Sequence, residues 1–282
     1  MSHTSFRRPS LYLSTCVVIA ATLLGEVSPA GATEAELTAI IDDHWLWTLN
    51  NYPERRLEYG DRSGNDQWTD MSLDAFQRRY EDGGRFVQRL EQIEPATLSA
   101  NAQVNRAMLL RQLRDNLTEY EDGLYLIALD MRSGPQHRHS MIDTLPMESV
   151  EDYEDWLNRL RGLPEQLSQY QALLSEGISR DRTQAQIVMS RVPSQITNLI
   201  KDQASESPFY RAFATMPEGI DLDTQSSLQS AAATVINEQI NPALQALLTF
   251  LESDYLPAAR PPGIGTLPGG KQVYSRLAQH FT

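Results

Sequence analysis

The sequence predicts an all-α fold, a multi-helix array of about eight long helices joined by short connections. Apolar residues recur at helical spacing through most of the chain, and serine or threonine precedes several of these runs at a capping position. No stretch alternates apolar and polar residues for long enough to form a sheet, and no fixed-length repeat is present. With 282 residues, 41% of them hydrophobic, the chain can bury a substantial core.

The first 32 residues have the pattern of a secretory signal peptide. Two adjacent arginines give a basic start, residues 11–24 form a short apolar run, and small residues lead to Ala32. We expect cleavage between Ala32 and Thr33, which leaves residues 33–282 as a single α-helical domain that is periplasmic or secreted. The apolar run is short for a membrane span, although an uncleaved anchor is the alternative; we expect no membrane span after cleavage.

Charge and cysteine content exclude several classes of function. The formal net charge is −13, and an acidic surface repels phosphate, so we expect no nucleic acid partner. Cys16 is the single cysteine and lies inside the apolar run, so the exported chain has no disulfide, thiol nucleophile or cysteine-based zinc site.

The first helix is predicted to open at Thr33, which has capping-box spacing with Glu36, and to end at Tyr52-Pro53. Residues 54–70 are polar and turn-rich, and we predict a loop there. Ser72 caps a second helix, in which Gly83-Gly84 costs roughly 1 kcal/mol per glycine relative to alanine and marks a candidate bend.

Ser99 opens a third helix that we expect to extend to Leu129. Its apolar register contains the following residues: Val104, Met108, Leu109, Leu113 and Leu117. Residues 132–146 are predicted to be a loop.

Helices follow again after this loop. Ser149 with Asp152 opens one through Leu160, and a separate helix starts at Pro164, because proline is favoured in a first turn. A further helix covers residues 183–202 with a kink at Pro193. The longest helical run extends from Asp223 to Tyr255 and is interrupted at Asn241-Pro242.

The segment Leu251–Thr282 ends the chain with three kinds of sequence. A helical run stops near Pro257, and prolines and glycines then shape a loop from Arg260 to Gly269. An amphipathic run from Lys271 follows and stops at apolar and aromatic residues. We therefore interpret the segment as a junction to a part that the chain lacks.

The sequence lacks several common catalytic motifs and offers one candidate metal site. The sequence contains no H-E-x-x-H, Walker loop or G-x-S-x-G. His137 and His139, with Asp130 and Asp143, offer zinc-ligand chemistry. However, their i, i+2 spacing directs the two rings apart in any regular structure, which favours two solvated loop histidines.

Four segments of the chain carry motifs that belong together. The junction has Tyr255-Leu256-Pro257-Ala258-Ala259-Arg260, Gly263-x-Gly265 and Leu267-Pro268-Gly269-Gly270-Lys271-x-x-Tyr274. The other three are Tyr52-Pro53-Glu54 with Gly60, Asp152-Tyr153-x-x-Trp156-Leu157-x-Arg159-Leu160 with Pro164, and Ser207-Pro208-Phe209-Tyr210. In this order the four segments resemble the bacterial family catalogued as domain of unknown function 885.

The resemblance implies a zinc metallopeptidase-like protein of the thermolysin-like superfamily, mainly helical and about twice this length. It implies that the zinc motif lies in a C-terminal half that is missing here, so no catalytic or metal residue is assigned to this chain and zinc is expected only in that half. The chain would then be the N-terminal, substrate-channel half of an exported protein, truncated or split and inactive alone. Tyr255 and Arg260 are the candidate contacts with a substrate.

The implied partners are the C-terminal zinc-binding half and a peptide-like substrate. The alternative is a stand-alone periplasmic or secreted helical protein that binds or scaffolds other molecules. A hydrolase that uses His137 and His139 is a third hypothesis, and it predicts stoichiometric zinc in the purified protein.

Overall fold

A computed structural model describes residues 29–281, and side chains are described for residues 33–279. Within these residues the fold is all-α, as predicted, and the only extended pairing is an isolated parallel bridge between Ala185 and Arg260. The helices are α1 Pro29–Asn51, α2 Leu73–Glu91, α3 Ala100–Glu121, α4 Val150–Ser179, α5 Gln186–Met189, α6 Val192–Thr197, α7 Arg211–Ala214, α8 Leu222–Val235, α9 Asn241–Phe250, α10 Leu256–Ala258 and α11 Gly270–Phe281.

The signal-peptide prediction falls mostly on residues 1–28, which lie outside the described part of the chain. The described part of α1 begins at Pro29, so Thr33 is not the first residue of the helix, contrary to the prediction, and the Ala32–Thr33 bond lies within the helix.

The caps of α2 and α3 confirm two predicted helix starts. Ser72 Oγ accepts a hydrogen bond from the backbone nitrogen of Ala75, and Ser99 Oγ accepts one from that of Ala102. Helix α3 ends at Glu121 rather than at Leu129, because Gly123 adopts a left-handed conformation with φ of 71° that terminates the helix.

The apolar register predicted for α3 was wrong in its first half. Leu110 and Leu113 are buried, whereas Val104 and Met108 are 56% and 66% exposed. The buried face packs with α1 and α2 in a small core, whose buried members are Leu37, Ile40, Phe86, Leu90, Ile93, Leu98, Leu110 and Leu113.

Helix α4 is the centre of the larger core. Its predicted capping box of Ser149 and Asp152 is present, but the helix passes through Pro164 and continues to Ser179. The separate helix predicted from Pro164 was therefore wrong. Leu160, Leu163 and Leu167 are almost completely buried on both sides of the proline, and their packing outweighs the roughly 3 kcal/mol that an internal proline costs.

Three other predictions need correction. A 3₁₀ helix covers Pro53–Tyr59, so the loop predicted at 54–70 was wrong in its first part. Likewise Pro135–Thr144 forms 3₁₀ structure within the loop predicted at 132–146. Residues 183–202 form the two short helices α5 and α6 rather than one kinked helix.

The longest helical run, residues 222–258, is continuous through Asn241 and Pro242. A π-helical turn, Ile236–Ile240, comes directly before these two residues, and a second one, Leu251–Tyr255, joins α9 to α10. Such turns rearrange the backbone bonds where a proline removes a donor, so the predicted interruption is a local widening of the helix.

Candidate functional site

Tyr255 lies where the long helical run meets the segment before α5. Its side chain is fully buried, and its hydroxyl oxygen accepts a hydrogen bond of 2.8 Å from the backbone nitrogen of Gln184. Burial raises the pKa of Tyr255 to about 12, so the hydroxyl stays protonated at neutral pH. Tyr255 therefore holds the end of the long helical run against the segment that contains Gln184.

Arg260 shapes the proline- and glycine-rich loop after α10. Its Nε donates to the carbonyl of Thr183 at 2.8 Å, and its Nη1 donates to the carbonyl of Gly263 at 2.7 Å and to Thr266 Oγ1 at 3.2 Å. Its backbone carbonyl accepts from the nitrogen of Gln186 at 2.9 Å. The side chain is half-buried, and contact of Arg260 or Tyr255 with a substrate stays a prediction.

After this loop, α11 lies beside α3, and hydrogen bonds from two arginines connect the two helices. Arg276 makes two hydrogen bonds to the carboxylate of Asp122, one of them 2.9 Å from Nε to Oδ2. Arg111 Nη2 donates to the carbonyl of Gln279 at 3.0 Å, nearer the end of α11. Helix α11 therefore runs antiparallel to α3.

A cavity of about 490 Å³ remains between the two helices. Leu124, Val273 and Leu277 supply apolar lining, and Arg111 and Glu119 are among the charged residues that line it. We call this cavity the α3–α11 groove. An apolar lining with charges of both signs suits a ligand that has both apolar side chains and polar backbone groups.

Arg159, which the sequence analysis named in a motif without giving it a role, is a buried polar centre. It is 0% exposed, its Nη2 donates to the carbonyl of Gly64 at 2.7 Å, and its Nε donates to that of Asn65. Trp68 lies under the guanidinium, 4.9 Å from ring centroid to Cζ, and its indole nitrogen donates to the Arg159 carbonyl at 2.6 Å.

Arg159 is a buried charge that needs its hydrogen-bond acceptors, and its position on α4 could have indicated this. Burial lowers its pKa to about 10, so it remains charged at neutral pH and must keep its acceptors. A sequence signal was available, because Arg159 lies three residues after Trp156 and four before Leu163, on the apolar face of α4.

Hydrogen bonds and an ion pair hold the segment 61–70 between the motif at 52–60 and the motif at 152–160. Glu54 Oε1 accepts from the backbone nitrogen of Thr69 at 3.0 Å, and Arg62 is paired with the buried Asp152. Burial alone would raise the pKa of Asp152, but hydrogen bonds from Ser149 and Glu148 and the charge of Arg62 lower it. The segment therefore joins the motif at 52–60 to the motif at 152–160.

The candidate zinc ligands are separately engaged. His137 Nε2 lies 3.3 Å from the carbonyl oxygen of Met131, and the His139 ring packs edge-on against Phe209. Asp143 pairs with Arg211 at 2.5 Å. Asp130 Oδ1 accepts from two backbone nitrogens of its own turn. Among the described residues, no three or more His, Cys, Asp or Glu side chains are grouped so that they could hold a metal ion.

The fold is similar to that of a solved structure, "the putative lipoprotein from Colwellia psychrerythraea". The TM-score is 0.72 at 14% sequence identity, and the match covers 86% of this chain and 45% of that chain. The chain thus spans less than half the length of that structure, and at this identity the likeness concerns the fold alone.

Among curated proteins, none matches the sequence significantly. One family does match, over residues 53–282, and it is described as "Bacterial protein of unknown function (DUF885)". Because this match covers most of the chain, including the motifs joined by the segment 61–70 and the junction at Tyr255 and Arg260, the protein belongs to the DUF885 family.

Proposed function

We propose that this chain forms one wall of the substrate cavity of an exported, metallopeptidase-like protein. In this proposal the zinc ligands and the general base belong to a C-terminal half outside the present chain, and the chain alone is catalytically inactive. A zinc hydrolase needs metal ligands, a base and a shaped cavity, and this chain would supply the cavity.

The observation that carries the proposal is the α3–α11 groove, one side of which is formed by α11 of the junction segment. The groove combines an apolar lining with charges of both signs, which suits a peptide-like substrate. The match to only 45% of the Colwellia chain is compatible with a second part of similar length beside this one. Arg260 is the better of the two predicted substrate contacts, since it is half-buried and Tyr255 is fully buried.

Export is the second part of the proposal. It is supported by the signal-like pattern of residues 1–32 and by the description of the structural neighbour as a lipoprotein. Within residues 29–281, no helix combines the length and the hydropathy that a membrane crossing requires. We propose a periplasmic or secreted location.

Zinc content and peptide hydrolysis of the purified full chain test the proposal. We expect less than stoichiometric zinc and no cleavage of a mixture of fluorescence-quenched peptides. Stoichiometric zinc with hydrolysis would overturn the proposal and would favour the His137 and His139 hydrolase. Loss of both in the double variant His137→Ala, His139→Ala would assign the activity to those residues.

The alternative is a stand-alone binding or scaffolding protein, and a different measurement separates it. A monodisperse monomer that binds no fluorescent apolar dye would favour the alternative. Binding of a fluorescent apolar dye and aggregation would favour a chain that lacks its other half, since such a chain exposes apolar surface.

A further inference from the structure

A second cavity, of about 470 Å³, opens on the side of α4 that bears Tyr153. It lies between the 3₁₀ segment Pro135–Thr144 and the short helix α7 with the residues that follow it. Its apolar lining comprises Ile142, Met147, Tyr153, Ala212, Met216 and Pro217. We call it the methionine cavity.

The base of the methionine cavity is rigid. Tyr153, Ile142 and Met216 are 2%, 8% and 9% exposed, so they belong to the edge of the large core. The ring of Tyr153 packs against that of Phe213, with centroids 5.9 Å apart. A fixed apolar base that opens to solvent favours an apolar ligand, because no large rearrangement is needed on binding.

The rim of the cavity carries one charge of each sign. Arg211 Nη2 pairs with Asp143 Oδ1 at 2.5 Å, and the two side chains are 53% and 63% exposed. The charges cancel, so the cavity has no preference for a charged ligand. A guanidinium donor beside a carboxylate acceptor matches the carbonyl and the N–H of a peptide backbone.

We infer that the methionine cavity is a subsite for one apolar side chain of a peptide, with the adjacent peptide groups at the Arg211–Asp143 rim. The preference for an apolar group rests on the lining, and the assignment to a peptide rests on the proposed function. Met147 suits such a site, since an unbranched thioether side chain adapts to ligands of different shape.

Methyl NMR of the full chain labelled with [¹³Cε]methionine tests the inference. The probe is N-acetyl-Leu-Phe amide, and Met147→Leu and Met216→Leu assign the two resonances. We expect saturable shifts of both methyls with increasing probe. Met71 is the internal control, because it lines neither this cavity nor the α3–α11 groove and should not shift. Equal shifts at Met71, or no saturable shift at Met147 and Met216, would overturn the inference.

Two tryptophan variants and a second probe sharpen the test. Thr215 is exposed and lines the cavity, so Thr215→Trp should fill the opening and weaken binding about tenfold or more. Ala214 is exposed but does not line it, and Ala214→Trp should bind as the parent does. Equal weakening by both variants, or equal binding of N-acetyl-Ser-Asn amide, would also reject the subsite.

The outcome is separable from that of the proposed function. The chain could carry zinc and cleave peptides and still show specific shifts at Met147 and Met216. That result would retain the subsite but overturn the proposal that the zinc ligands belong to a separate C-terminal half. Peptide binding that shifts other methyls instead would retain a peptide-binding wall and reject this subsite.

Discussion

The hydroxyl oxygen of Tyr255 accepts the hydrogen of the Gln184 backbone nitrogen across 2.8 Å. This bond connects the end of the long helical run to the extended segment that pairs with Arg260. It therefore fixes the point from which the loop to α11 departs. Since the phenol is fully buried, a lost hydrogen bond here leaves a polar group without water.

Tyr255→Phe should reduce the free energy of unfolding by about 1–2 kcal/mol, because the Gln184 N–H loses its acceptor. Urea unfolding followed by circular dichroism measures the change. Tyr274 is 62% exposed on α11, and Tyr274→Phe should change stability by less than about 0.5 kcal/mol. Equal effects of the two variants would show that the buried bond contributes nothing specific.

Arg159→Ala should be much more destabilising than Arg161→Ala. The first variant leaves the carbonyls of Gly64 and Asn65 without a donor and opens space beside Trp68, and we expect a loss of more than about 3 kcal/mol. Arg161 is exposed on the same helix and donates to Asn158, so its loss should cost less than about 0.5 kcal/mol. Denaturant midpoints measured side by side decide, and similar midpoints would contradict a structural role for the Arg159 network.

Local signals explain which parts of the fold could be predicted. The caps at Ser72, Ser99 and Ser149 were predictable because a cap depends on residues within one turn. The passage of α4 through Pro164 was not, because it depends on packing against helices far away in the chain. The burial of Leu110 instead of Met108 likewise depends on the positions of α1 and α2.

The same distinction applies to the candidate site. The junction motif with Tyr255 and Arg260 was recognisable from sequence, but its bonding to residues 183–186 joins parts of the chain more than 70 residues apart. The pairing of Asp122 with Arg276 spans 154 residues. Neither of these two sets of contacts can be read from neighbouring residues in the sequence. The two cavities likewise form between elements that are far apart in the chain.

Asp122→Asn should loosen α11 without unfolding the rest of the protein. The substitution removes the ion pair with Arg276, and hydrogen exchange of backbone amides in residues 271–279 should become several-fold faster. The global free energy of unfolding should change by less than about 1 kcal/mol, since the pair is partly exposed. Asp43→Asn, which removes a pair with Arg89 between α1 and α2, is the control and should leave α11 unchanged. Unaltered exchange in the Asp122 variant would mean that α11 is held by other contacts.

Stability should decrease as the pH falls below 6.5, in part because of His44. Its ring stacks on Trp47 and meets Phe86 edge-on, and burial, followed by the charge of Arg55, lowers its pKa below the ordinary value of 6.5. The unfolded chain therefore takes up the proton first, so the stability contributed by neutral His44 is present above pH 6.5 and is lost as the pH falls through the folded pKa.

His44→Gln should make stability less dependent on pH between pH 7.5 and 5. Urea midpoints at several pH values measure this dependence, and the NMR titration of His44 in the parent should give a midpoint below 6.5. Part of the dependence should remain in the variant, because burial also lowers the pKa of His139. A midpoint above 6.5 would reverse the sign and contradict the buried environment.

The glycine pair in α2 allows a matched test of packing against helix propensity. A Cβ at Gly84 would have no heavy atom within 4 Å, so Gly84→Ala should stabilise the protein by about 0.5–1 kcal/mol. A Cβ at Gly83 would lie 3.2 Å from Leu117 Cδ2, and Gly83→Ala should gain less or lose stability, because α3 is packed against that position. The difference in thermal midpoint between the two variants measures the effect. It should vanish in Leu117→Ala, which removes the obstructing methyl group. Persistence of the difference in that background would place its cause in the helix backbone rather than in the α2–α3 contact.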